Sequence, residues 1–180
     1  MPTWVNAAGP LTGDADSANW AGFTLRQLIG SAQISNTGMT YCRVTFEASS
    51  AQAFTISKAY IREAADAGDA VDFAGTPVQL LFSGSAGFAL AAGASVVPDT
   101  AVFSIPASKN LVISMYVSGD SSHDDVRRKT TITGWDTYYH SATDDAATVD
   151  VTGYVLWNAN SAQAVLRVEV ASDSGMWLAM

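Results

Sequence analysis

Gly119-Asp120-Ser121 directly follows the apolar run Leu111 to Val117, an arrangement that can present a serine at the end of a strand. A nucleophilic serine needs an imidazole to take its proton and donors to hold the oxyanion. The chain has 2 histidines. His123 stands close to Ser121, and His140 ends Asp136-Thr137-Tyr138-Tyr139-His140, so hydrolysis through Ser121 with His123 or His140 is one reading. The same histidines with Asp120, Asp124, Asp125 or the Asp144-Asp145 pair offer donors that suit zinc or manganese. Aspartates in Ser- and Gly-rich loops are also ordinary turn formers, and on that reading the chain holds no catalytic residue and no transition metal.

Calcium suits these loops better, because Asp side chains and backbone carbonyls are hard oxygen donors. Asp14-x-Asp16-x-x-Asn19 begins like an EF-hand loop but lacks its glycine and has Leu25 where the closing glutamate belongs. No cofactor is expected, loop calcium being the one exception allowed. Trp4, Trp20, Trp135, Trp157 and Trp177, with Tyr138, Tyr139 and Tyr154, offer flat faces that can stack on sugar rings or fill a core. Only Trp135, Asp136, Tyr138, Tyr139 and His140 interleave aromatics with hydrogen-bonding groups, which makes them the expected saccharide site.

The elements carrying these residues read as strands. Period-2 alternation in short runs, broken by Gly, Ser, Asp and Pro, marks half-buried sheets. The runs are Tyr41 to Glu47, Ala53 to Ile61, Val78 to Phe82, Ala101 to Ile105, Leu111 to Val117, Val149 to Trp157 and Ala164 to Val170. Gly22 to Ile29 fits neither period cleanly and is read as a strand. Alternation places Cys42 inward with Val44 and Phe46, as an inert core thiol. Eight to ten such strands predict an all-β, two-sheet β-sandwich of jelly-roll type. Residues 1–19 read as an N-terminal arm, and 20–180 as a single β-sandwich domain.

Composition narrows the partners. The net charge of −8, from 9 Lys plus Arg against 17 Asp plus Glu, repels phosphate backbones and anionic membranes, so neither nucleic acid nor membrane is expected. No run approaches the length of a membrane span, the N-terminus lacks a secretory pattern, and one cysteine allows no internal disulfide. Three lysines leave a surface of small neutral residues. Arg127-Arg128-Lys129, the only basic cluster, is expected to form surface ion pairs beside Asp124-Asp125.

From Tyr41 to Thr133 the order of features resembles the β-sandwich accessory domain that precedes the catalytic domain of some bacterial SGNH (GDSL-type) hydrolases. The resemblance rests on Cys42-Arg43-Val44-Thr45-Phe46, Ala59-Tyr60-Ile61, the loop Phe88 to Ala94, Val96-Val97-Pro98-Asp99 and Asn110 to Val117. It implies that Gly119-Asp120-Ser121 lies in a loop of the accessory module, away from any nucleophile, and that the chain is not an enzyme. Solitary modules of this kind are similar to jelly rolls on phage heads and tails. The expectation is therefore a virion structural protein, synthesised in the host cytoplasm, that forms homo-oligomers and meets other virion proteins. Trp4 and the apolar stretch holding Met176, Trp177 and Leu178 are the expected assembly contacts. A free-standing carbohydrate-binding module is the alternative, with polysaccharide as partner, and an esterase the third.

Overall fold

The computed structural model describes residues 2–141 and 143–172. Among them the chain forms β1 (Val5–Ala8), β2 (Ala15–Ser17), β3 (Phe23–Ile29), β4 (Tyr41–Glu47) and β5 (Phe54–Glu63). Then follow β6 (Val78–Leu80), β7 (Phe88–Leu90), β8 (Ser95–Val96), β9 (Ala101–Val102) and β10 (Leu111–Val117). The last five are β11 (Val126–Lys129), β12 (Trp135–Ser141), β13 (Val155–Asn158), β14 (Ala162–Gln163) and β15 (Val165–Ala171). A single 3-10 turn, Ser31–Gln33, is the one helical element of the described residues.

One sheet runs β1-β15-β4-β8, with β9 also on β4. The other runs β13-β12-β3-β10-β5-β6, with β7 also on β5. All pairings are antiparallel. Count β6 with β7, and β8 with β9, as one position each, and leave aside β2 and β11 to β14. The remaining strands then lie in the orders first-eighth-third-sixth and second-seventh-fourth-fifth, which is the strand order of a jelly roll. The protein is an all-β, two-sheet sandwich.

The segment between β10 and β15 is an insertion in that scheme. It adds β12 and β13 beside β3, and its β11 and β14 join β2 in a separate three-stranded sheet. Every residue of the expected saccharide site lies in this insertion.

Alternation explains the core. Cys42, Val44 and Phe46 of β4 are buried, as are Leu111, Ile113, Met115 and Val117 of β10 and Leu166, Val168 and Val170 of β15. Burial of each large apolar side chain contributes roughly 1.5–3 kcal/mol. Removing the Cys42 thiol from water pushes its pKa up to about 12, so it stays protonated.

Two segments differ from the sequence expectation. Residues 1–19 provide β1, paired to β15 with Ala7 and Ala8 buried, and β2, paired to β11. Small side chains and an unpaired neighbouring edge suffice to draw this stretch into sheets despite its weak periodicity. Of Val149 to Trp157, only the residues from Val155 onward are strand, within β13 (Val155–Asn158). The preceding residues instead cover the outer face of the larger sheet, where Val149 O accepts from Phe73 N at 2.9 Å.

That outer face has its own cluster of Leu28, Ala64, Val71, Phe73 and Val112, flanked by Tyr60, Tyr138 and Tyr154. Arg26, fully buried in β3, lies at its centre. Its guanidinium donates to Val71 O at 2.6 Å, Asp145 O at 3.2 Å and Thr148 O. The rings of Phe73 and Tyr154 lie 4.4 and 4.6 Å from its central carbon. Replacing it by Met strands these carbonyls in an apolar layer. Arg26→Met is therefore expected to lower the unfolding free energy by about 3 kcal/mol in urea denaturation. A loss within ordinary surface-substitution scatter would show that the arginine does not pin the two covering segments.

Candidate functional site

Side chains alternate along β12, and the pairing with β3 decides which way each points. Trp135 lies opposite Ile29, Thr137 opposite Gln27 and Tyr139 opposite Leu25, all directed between the sheets. Trp135 is 1% exposed, so its indole belongs to the core and offers no face to a ligand. Asp136, Tyr138 and His140 point to the outer side. Asp136 Oδ1 accepts from Asn160 N at 2.8 Å, which spends part of the carboxylate on the turn before β14. Tyr138 packs on the outer cluster, where burial and then the Asp136 charge raise its phenol pKa. His140 Nδ1 meets Asp145 Oδ2 at 2.5 Å, with the Tyr154 ring 5.5 Å from the imidazole. The five residues are thus divided between two faces of one sheet. The alternation that splits them is visible in the sequence.

Of the expected assembly contacts, Trp4 is half-buried and Arg43 stands 4.2 Å over its ring. Met176, Trp177 and Leu178 lie outside the described residues.

The Gly-Asp-Ser segment closes a turn. A Cβ at Gly119 would come within 1.9 Å of the His123 carbonyl oxygen, so only glycine fits. Asp120 Oδ1 accepts from Ser122 N at 2.9 Å and from Ser122 Oγ at 2.6 Å, and His123 Nδ1 stands 3.1 Å away. These bonds, led by the Ser122 hydroxyl, hold the Asp120 carboxyl down at about 2. The histidine is engaged by Ser122, at 2.7 Å, instead of by Ser121. Ser121 contributes its carbonyl, which accepts from Gln52 Nε2 at 2.8 Å.

The aspartates of the incomplete EF-hand pattern are committed elsewhere. Asp14 binds Lys129 Nζ at 2.8 Å and Thr130 N at 2.9 Å, bonds that hold its carboxyl far below the usual range. Asp16 binds Arg127 at 2.8 Å and Ser50 Oγ at 2.5 Å. Arg127 and Lys129 of the basic cluster thus pair with Asp16 of β2 and with Asp14 just before it, and not with Asp124-Asp125 as their sequence position suggested. No group of three or more His, Cys, Asp or Glu among the described residues is arranged to hold a metal ion.

A concave site does exist, formed by Ala18, Asn19, Trp20, Phe23, Tyr139 and Trp157 around an open depression of about 230 Å³. Trp20 and Trp157 meet edge to face at 5.2 Å, and Phe23 and Tyr139 at 5.7 Å. Trp20 itself is buried and donates its indole N–H to Ser17 Oγ at 3.0 Å. Trp157 is 36% exposed and supplies the accessible ring. The wall turns at Gly22, whose φ of +79° favours glycine, and Phe23 N closes the turn on Trp20 O at 3.0 Å. Of the expected saccharide residues only Tyr139 lines this cup. Trp20 and Trp157 were visible in the sequence as stacking candidates, whereas Asn19 and Phe23 carried no such signal.

Two acids support the cup's turn. Asp124 Oδ2 accepts from Ala21 N at 3.1 Å, and the Asn19 N–H faces the Asp125 carboxylate. Beside the cup, β13 is the outermost described strand of its sheet and exposes Val155, Leu156 and Trp157. The protein is therefore a jelly-roll sandwich whose aromatic surface is built jointly by the β2–β3 turn and the insertion. No family model matches the chain, and neither does any curated protein.

Burial, and then the neighbouring Asp124 charge, raise the pKa of Asp125. A carboxyl raised on folding stabilises the protein below its unfolded pKa, and this contribution is lost as pH rises through the folded value. Ionised Asp125 is thus unfavourable at neutral pH. Asp125→Asn is expected to raise Tm by a few degrees at pH 7, with the gain vanishing below the ordinary value of 3.8. Thermal melts across that range check the sign.

Proposed function

We propose that this chain is a non-catalytic structural protein of a virion, a phage head or tail component, that displays its sandwich and associates with further copies of itself. The carrying observation is the open edge of β13. Val155 is 51% and Leu156 47% exposed on a strand whose outer backbone groups have no neighbouring strand among the described residues. Exposed edges are usually blunted by Lys, Pro or covering segments, and Val155-Leu156-Trp157-Asn158 carries none of the first two. The occupant of this edge is a second copy of the chain, paired along β13. The jelly-roll order, a surface with three lysines and the resemblance noted above support the same assignment.

Light scattering coupled to size-exclusion chromatography tests it. The full chain is expected to form a defined oligomer, weakened at least about tenfold by Leu156→Lys, which places a charge in the proposed contact. A chain lacking residues 176–180 tests the apolar C-terminal stretch, while removing residues 1–19 would take two strands out of their sheets. A monomer at every concentration would overturn the reading. On short-chain esters, wild type and Ser121→Ala are expected to give the same background rate. A rate that depends on Ser121 would instead favour the esterase.

The aromatic cup favours a second reading, saccharide binding, either as a property of the virion component or as the role of a free-standing module. It offers one accessible indole, a phenol and an exposed Asn19, in a volume below the roughly 300 Å³ of a drug-sized pocket and so suited to one ring.

A further inference from the structure

We infer that the aromatic cup selects a saccharide ring bearing a carboxylate, held by Arg128 beside the Trp157 platform. This rests on the saccharide reading of the cup and names the class of sugar.

Five of the six arginines have a hydrogen-bond or ion-pair partner. Arg26 is held by backbone carbonyls, Arg43 by Glu169, Arg62 by Glu63 and Arg127 by Asp16. Arg167 lies 3.8 Å from Glu169. Arg128 alone has no ion pair and no side-chain hydrogen bond among the described residues, in a chain with nearly twice as many acids as bases. Its Nε is buried without a hydrogen-bond partner, as are those of Arg26, Arg62 and Arg167, but only in Arg128 are the outer guanidinium nitrogens also without an acid or carbonyl partner among the described residues. Such a donor is costly to leave unmet, and it carries a charge whose natural complement is a carboxylate held by two parallel bonds.

Its position points to the cup. Val126 pairs with Ser17 and Arg128 with Ala15 and Gln163, so Arg128 shares a face of the three-stranded sheet with Ser17. Ser17 Oγ is the group that holds the Trp20 indole of the cup wall. The Arg128 guanidinium stands over the Trp157 ring, 5.5 Å from its centre, adjoining the cup without lining it. The flanking cations of β11 are already neutralised, Arg127 by Asp16 and Lys129 by Asp14. The nearby acids Asp124 and Asp125 direct oxygens at the N–H groups of Ala21 and Asn19. One positive charge with no acid partner thus stands over part of an accessible indole, in a cation–π contact that leaves its outer N–H groups unpaired among the described residues. The exposed Asn19 amide, unpaired among the described residues, adds a donor and an acceptor for sugar hydroxyls. A sugar ring stacked on Trp157 with its carboxylate turned to Arg128 meets all three groups.

Methyl β-glucuronoside and methyl β-glucoside differ in the carboxylate and serve as probes. Tryptophan fluorescence and titration calorimetry on the full chain are expected to show the glucuronoside binding at least about fivefold more tightly at low salt, with the margin shrinking as salt is added. Arg128→Gln, checked for folding by circular dichroism, is expected to bring the two sugars to equal affinity. Asn19→Ala is expected to weaken both. Equal affinity in the wild type, or a preference unchanged by Arg128→Gln, would overturn the carboxylate assignment while leaving a neutral-sugar cup. Binding of neither sugar would overturn both readings.

Discussion

A buried guanidinium governs the outer half of this protein. Arg26 gives up water on entering the outer layer, and that desolvation lowers its pKa. What offsets the cost is a set of backbone carbonyls from two separate segments and the faces of Phe73 and Tyr154. A single hydrogen-bonded charge thereby fastens residues near 71 and residues 145–148 to the second strand of the jelly roll. The same strand fixes the inner side. Gln27 Nε2 donates to Asp136 O at 3.1 Å and Ser161 O at 3.2 Å, and its Oε1 accepts from Thr137 Oγ1 at 3.0 Å and Gln163 N at 2.9 Å. With both faces of β3 committed, β12 has a fixed edge on which to pair.

From that edge the insertion acquires its geometry. β12 is set by β3, β13 by β12, and the three-stranded sheet by the pairing of β11 with β2. The register shift between Thr137 and Tyr138 leaves Trp157 without an opposite residue on β12. A bulge of this kind re-aims a side chain, and here it frees the indole to meet Trp20. The cup therefore joins the β2–β3 turn, β12 and β13, stretches far apart in the chain. Its aromatic contacts fix the rings relative to one another, while the acids at Asn19 and Ala21 hold the turn.

Much of the frame was legible from period-2 alternation. The boundaries of β4 and β10 match it residue for residue, because each has one inward row of apolar side chains. β3 was ambiguous for a physical reason. Its inward row Leu25, Gln27 and Ile29 is interrupted by a buried glutamine, while Leu28 is buried on the outer row with Thr24 and Arg26, so apolar and polar types do not alternate cleanly. The stretch from Val149 looked like a strand because its apolar residues are needed to cover the outer cluster, a tertiary demand that imitates strand composition. Ion pairs of β11 were assigned to sequence neighbours, but strand pairing brings β2 closer than the adjoining loop. The candidate site was legible only in part. Aromatic residues marked the insertion, yet which rings converge depends on pairing between distant segments, and no local motif encodes that.

The Gly-Asp-Ser segment shows how a motif can answer to local physics. Gly119 is required by the approach of the His123 carbonyl and Asp120 by its bonds to Ser122, while Ser121 takes part through its backbone carbonyl, which accepts from Gln52 and places no demand on the side chain. The closed turn is fastened to β5 on both sides, since Ser118 N donates to Thr55 O at 3.1 Å and Thr55 N to His123 O at 2.9 Å. Asp124 and Asp125 follow at once, supporting the cup's turn, and then β11 begins. The chain thus leaves β10 in a fixed direction, sets two acids beneath the wall of the cup and delivers Arg128 to the side of Trp157. Each residue of the Gly-Asp-Ser segment, Ser121 through its backbone alone, takes part in that delivery.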